Sequence, residues 1–122
     1  MNWLSALFAL NLSLLLLHEM DAIRTKEWNM FIILKDMSER TAYLVFSIGH
    51  LPLYFVVIYA VSQTRGSSFA IIWLIVDLFL IAHAIVHFFF RKHAAYGFHS
   101  LYSNILIFGM AALGLIHLLL ML

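Results

Sequence analysis

The sequence predicts an all-α integral membrane protein: a four-helix bundle with an interfacial amphipathic helix after the first span. Three observations carry this prediction. Of the 122 residues, 65% are hydrophobic and only 11% are charged, whereas soluble domains are near half apolar and a quarter charged. The apolar residues gather into four runs, each close to the ~20 residues that a helix needs to cross a ~30 Å hydrocarbon core. Short polar segments, 24–40, 63–68 and 91–98, separate these runs. A net charge of +1 gives no electrostatic reach toward nucleic acid. With no cysteine, disulfides, thiolate-bound zinc and iron–sulfur clusters are excluded. The length fits one membrane-embedded domain, 1–122.

The first span, 3–22, begins at Trp3, and its purely apolar part ends at Leu17. It reaches spanning length only with His18, Glu19, Asp21 and Ala22 included, which draws those polar groups into the membrane interface. It has no basic leader and no small-residue cleavage site, so it is expected to be a retained helix rather than a signal peptide. Residues 23–37 mix Ile23, Trp28, Phe31, Ile32 and Ile33 with Arg24, Lys26, Glu27 and Lys35, the composition of a helix lying in the interface. Ser38, with Thr41 nearby, is a helix start for the second span, 41–62. Pro52 should kink that span and free the Ile48 carbonyl beside His50. The third span is 69–90 and the fourth 99–122, where Gly109, Ala111, Ala112 and Gly114 permit close helix packing. Lys and Arg number four in the first loop, one in the second and two in the third. The positive-inside rule then puts both termini outside, in what is expected to be a bacterial inner membrane.

Polar residues within spans mark the faces turned away from lipid. Tyr43, Ser47, His50 and Tyr54 form one stripe on the second span, Asn11 and His18 another on the first, and His83 with His87 a third. His99, Ser103 and His117 share a face of the fourth. At 1.5 Å per residue, His18, His50, His83, His87 and His99 all fall within about 13 Å of the cytoplasmic ends. Asn11, Tyr54 and Asp77 form a second layer nearer the outside. Asp77 is the one formal charge deep in a span. An unpaired carboxylate there costs at least ~2.5 kcal/mol, so it should be protonated or bonded to Asn11, Tyr54 or His117.

His83-x-x-x-His87 puts two imidazoles on one helix face within reach of one ion. His18-Glu19-x-Asp21 adds an imidazole and carboxylates from a neighbouring helix. The candidate ligands are His18, His83, His87, His50 and Glu19, with Asp21 and Glu19 as candidate catalytic groups. Imidazole with carboxylate suits zinc or iron, and an open coordination position would activate water or dioxygen. A single histidine in a membrane helix is accounted for by a hydrogen bond to its neighbour. Five converging in depth from four helices are not so easily accounted for. Haem, held between His18 and His83 as axial ligands, is the rival cofactor. His93, Arg24, Lys26 and Glu27 read as interfacial or solvated, and Trp28, Tyr96 and Phe98 as belt aromatics. Motifs of soluble enzymes (GxSxG, HExxH, the P-loop) are absent.

At His18-Glu-Met-Asp-Ala22 and His83-Ala-Ile-Val-His87 the chain resembles small four-span prokaryotic membrane proteins of unknown function, the HXXEE-domain family being the nearest named group. That family's elements are HxxEE and HxxxH, and this chain has Asp21-Ala22 in place of the two glutamates. A separate uncharacterised family built on the HE-x-DA-x-R…EW opening is the alternative. The resemblance implies a polar site at His18, Asp21, His83 and His87 but supplies no reaction. Alkaline ceramidases, which have more spans, similarly combine an HxxxH pair with a further His and an Asp. The leading functional expectation is a metal-dependent membrane enzyme, a hydrolase or oxidase, acting on a lipid-like or apolar substrate. The alternatives are a b-type haem protein, a non-enzymatic subunit of a membrane complex, and a proton or ion conduit through Asp77 and His50. Membrane lipids are the expected partners, nucleic acid is not, and a homo-oligomer or larger complex is a further expectation.

Overall fold

The computed structural model describes residues 3–62 and 67–121. Its helices are α1 (Trp3–Arg24), α2 (Glu39–Gly49), α3 (Leu51–Ser62), α4 (Ser67–Phe90) and α5 (Leu101–Met121), with a four-residue 3-10 helix at Glu27–Met30 between α1 and α2. Among the described residues, four segments are long and apolar enough to cross a membrane: Trp3–Arg24, Glu39–Tyr59, Ala70–Phe90 and Leu101–Met121. These coincide with the four expected spans to within a few residues. Most of the second connector, 63–66, with the Arg65 that entered the charge count, lies outside the described residues.

The second span is broken where the sequence places its proline. α2 ends at Gly49 and α3 begins at Leu51, with His50 between them. Pro52 has no N–H to return to the Ile48 carbonyl, so the ladder resumes with Tyr54 N–H donating to the His50 carbonyl at 2.9 Å. At the start of α2, Ser38 caps the helix by accepting from the Thr41 N–H. The first connector differs from the amphipathic helix expected over 23–37. Lys26 adopts a left-handed conformation, φ 53°, which ends α1. The chain then makes the short 3-10 helix and a series of turns (Leu34 N–H to Phe31 carbonyl, Met37 N–H to Leu34 carbonyl). The physical reason is burial: Glu27 and Trp28 turn in under the bundle, which a straight helix lying in the interface would not permit.

α5 is the central helix and packs along both α1 and α4, whereas the α2–α3 unit touches α4 only lightly. Small residues let α5 approach. A Cβ at Gly114 would stand 3.4 Å from Asn11 Nδ2 on α1 and 3.5 Å from the Asp77 carbonyl on α4. Without a hydrophobic drive between helices in lipid, such close van der Waals approach is a main source of cohesion. The exterior is correspondingly apolar: Ile32 is 81% exposed, Leu101 77% and Phe89 75%, which only a lipid surround makes inexpensive. Two buried clusters divide the interior. One holds Phe8, Leu12, Leu15, Trp73, Leu80 and Met110. The other holds Ala22, Trp28, Phe46, Tyr96, Phe98 and Ile107. Each surrounds a polar group.

Candidate metal centre

In the second cluster α1 contributes His18, and α4 contributes His83 and His87 one turn apart. His18 and His87 are buried and His83 is partly so. The Nε2 atom of His83 stands 2.9 Å from Nε2 of His18 and 3.1 Å from Nε2 of His87. One nitrogen from each of these three rings lies within 4.8 Å of the other two, the arrangement that can hold a metal ion. Ligands at about 2.0–2.1 Å from tetrahedral zinc stand roughly 3.3 Å apart, so the spacing is close to a coordination sphere.

Hydrogen bonding alone accounts poorly for this contact. A neutral ring nitrogen carries either a proton or a lone pair. The single N–H or single lone pair on His83 Nε2 would therefore have to serve both His18 and His87. Protonation does not help, because imidazolium rings side by side repel and are costly to bury. A cation at the centre accepts all three lone pairs at once. Nδ1 of His18 and of His87 is buried without a hydrogen-bond partner, so no second group fixes the tautomer of either ring.

Glu27, on the 3-10 helix, approaches the triad from the His87 side. Its Oε1 is 3.4 Å from Nε2 of His87, again near ligand–ligand spacing. Phe98 stacks edge-on to His87 at 4.7 Å and tilts over His18 at 5.4 Å, and Tyr96 lies 5.8 Å from His87. These two aromatics cover the centre from the third connector. Burial pushes the Tyr96 phenol above its ordinary range; nearby Arg91 opposes the shift and Glu27 adds to it. A cavity of about 270 Å³, with Glu27, His83 and His87 in its wall, opens beside the triad.

The other expected site residues are engaged elsewhere. Glu19 and His50 pair with each other, Oε2 to Nε2 at 3.0 Å, while His50 Nδ1 faces the Phe46 carbonyl at 2.6 Å. Both ring nitrogens thus face oxygens. Asp21 accepts from Arg24 at 2.7 Å and, through its other oxygen, from Ser103 Oγ at 2.6 Å, which ties α1 to α5. His99 and His93 are exposed. Tyr54 sits beside His50, with ring centroids 6.2 Å apart, and lines a small pocket with Glu19 and Ser47. Asp77 instead meets His117, Oδ2 to Nδ1 at 2.6 Å, with neither side chain exposed at all. Of the partners expected for Asp77, His117 is the one it bonds.

Three residues at the centre carry little sequence signal of their place there. Glu27 is one charge among many in a charged loop, and nothing in its neighbourhood distinguishes it. Tyr96 and Phe98 look like interfacial aromatics. The glycine between them is the one available signal, because Gly97 is where the connector runs against Thr25.

A family model described as a family of unknown function, DUF6713, matches residues 4–122, which takes in every polar group just described. Neither a curated protein nor a solved structure matches the chain.

Proposed function

We propose that this chain, which belongs to the family of unknown function DUF6713, is a metal-dependent membrane enzyme whose ion is held by His18, His83 and His87. The convergence of three Nε2 atoms that cannot satisfy one another carries the reading. Glu27, beside His87, would be a fourth ligand or a general base. Three imidazoles and a carboxylate suit zinc or ferrous iron. Such an ion lowers the pKa of bound water and polarises a carbonyl, which makes hydrolysis of a lipid-like substrate the reaction favoured here. The cavity beside the triad supports an apolar substrate, because its other described wall residues are apolar. A b-type haem fits less well: His18 and His83 touch through Nε2 at 2.9 Å, leaving no plane between them for a porphyrin. Asp21, Glu19 and His50 hold the helices around the centre in this reading. The membrane is a bacterial inner membrane with both termini outside, so that the centre lies in the cytoplasmic half. A Lys92→Cys variant should then react with an impermeant thiol reagent only from the cytoplasmic side; labelling from outside would reverse the orientation.

Metal analysis and a visible spectrum of the purified protein test the central reading. Near-stoichiometric zinc or iron without a Soret band is expected. At a free-ion concentration a hundredfold above Kd the ion stabilises the fold by about 2.7 kcal/mol, so chelation should lower the melting temperature measurably. Affinity should fall as pH is lowered, because only the unprotonated ring ligates. His83→Ala should lose metal, activity and this stabilisation together, and His93→Ala none of them. A purely structural His83 would cost about 1–3 kcal/mol on truncation with no change in metal content. Wild-type protein free of metal, with a melting temperature indifferent to chelation, would leave a non-enzymatic subunit as the function.

A further inference from the structure

The cavity beside the triad shares one wall residue with another cavity further along α4. Phe79 of α4 lines both, the second being a cavity of about 270 Å³ between α3 and α4, walled by Pro52, Val56, Ile75 and Val76. The two are therefore in series along one face of α4. From Phe90 at the near end to Ile75 at the far end the helix rises about 22 Å. The polar side chains of the near cavity, Glu27, His83 and His87, stand at the metal centre, and the far cavity has none. Phe31, Phe79 and Val86 on the rim are exposed toward lipid, so entry is sideways from the bilayer. The slot follows from the packing. α4 is fixed along its opposite face by α5 but meets α3 at few points, and the break at His50 and Pro52 sets α3 apart from α2.

We propose that this slot holds a single-chain acyl amphiphile, its carboxyl or carbonyl head at the His83–His87–Glu27 end and its tail running past Phe79 between α3 and α4. The proposal rests on the metal-centre reading and names the substrate class of that centre. The chemistry of the lining selects this occupant. Among the described residues no Lys or Arg lines either cavity, so a phosphate headgroup would lack the cationic forks that recognise it there. A carboxyl or carbonyl oxygen, by contrast, is a ligand for zinc or iron. A two-chain lipid needs two grooves side by side, whereas these cavities follow one another. Phe79 at the junction sets how a chain must bend to occupy both.

The test compares octanoate with palmitate at equal mole fraction in detergent micelles containing the purified, zinc-loaded full chain. Palmitate should raise the melting temperature by more than octanoate, because only the longer chain reaches the far cavity. Val56→Phe, and independently Ile75→Phe, fill that cavity from opposite walls without touching the triad. Either should abolish the advantage of palmitate while leaving the octanoate shift and zinc content as in the wild type. Equal shifts for both acids in the wild type, or a palmitate advantage that survives in the folded variants, would overturn the slot. Zinc content is read in every sample. A chain-length preference in protein that never binds zinc would keep the slot and reject the metal reading; zinc binding without a preference would do the reverse.

Discussion

Two buried polar groups of the bundle are built on opposite principles. Around Asp77 unlike groups are paired, although Asp77 Oδ1 and His117 Nε2 have no further hydrogen-bond partner. One carboxylate meets one imidazole at 2.6 Å, both wholly buried, between Phe8 and Trp73, whose rings lie 5.3 and 5.1 Å from that of His117. Around His83 the interior is repetitive: three like groups face one another, a carboxylate stands beside them, and a cavity adjoins. The remaining buried charges follow the first principle, Glu19 with His50 and Asp21 with Arg24 and Ser103. A bundle that only needed cohesion would use complementary pairs throughout, because pairing offsets part of the cost of burying each member. Like groups gathered at one point cost energy unless something sits between them. The contrast is what separates a structural site from a binding site here.

Removing Asp77 probes the first principle and should produce the largest effect. Asp77→Ala strands His117 Nδ1 in a dry interior and is expected to cost about 3–5 kcal/mol, the range for a buried pair broken on one side. Asp77→Asn keeps an oxygen to accept from His117 and should cost distinctly less. Melting temperatures in the same detergent decide this, and metal content should be normal in both variants. An Asn variant as unstable as the Ala variant would mean that the pair depends on a full negative charge. Metal loss in either folded variant would mean that the two layers are coupled, and the comparison would fail.

The two layers were also unequally legible in the sequence. The spans themselves follow from apolar runs of membrane length, and the break at Pro52 from a missing N–H. His83 and His87 follow from helical spacing, and the approach of His18 from depth. Depth does not fix azimuth, however. His50 lies at a depth compatible with the triad, yet α2 turns it toward Glu19. Tyr54 matches Asp77 in height but stands on the Glu19 side of the bundle. The connectors were least legible. Their residues have no periodicity to constrain them, so Glu27 reads as one solvated charge among several, and the left-handed Lys26 that turns it inward has no sequence marker.

The cover over the triad gives the sharper, smaller test. Tyr96 and Phe98 lie on His87 and His18 only because Gly97 lets the third connector run against the end of α1. A Cβ at position 97 would fall 2.8 Å from Thr25 Cβ and 3.2 Å from the Thr25 carbonyl. Thr25 cannot easily give way, since its hydroxyl is bonded to the Asp21 carbonyl at 2.9 Å and its backbone closes α1. Gly97→Ala must therefore move the connector, at a cost of about 1–3 kcal/mol, the usual scale of overpacking. Because the two flanking rings move with it, the triad should become wetter and release its ion to a chelator faster, even though no ligand has changed. Gly109→Ala is the matched control. Its Cβ would meet only Leu14 Cδ1, at 3.9 Å, an ordinary contact. Alanine inside a helix is favoured over glycine by about 0.5–1 kcal/mol, so this variant should be as stable as wild type or slightly more so, with unchanged metal release. The metal-release rates and melting temperatures of the two variants therefore separate the cover from general helix packing. If Gly97→Ala keeps wild-type values of both, Tyr96 and Phe98 are bystanders and the centre is closed by α1 and α4 alone.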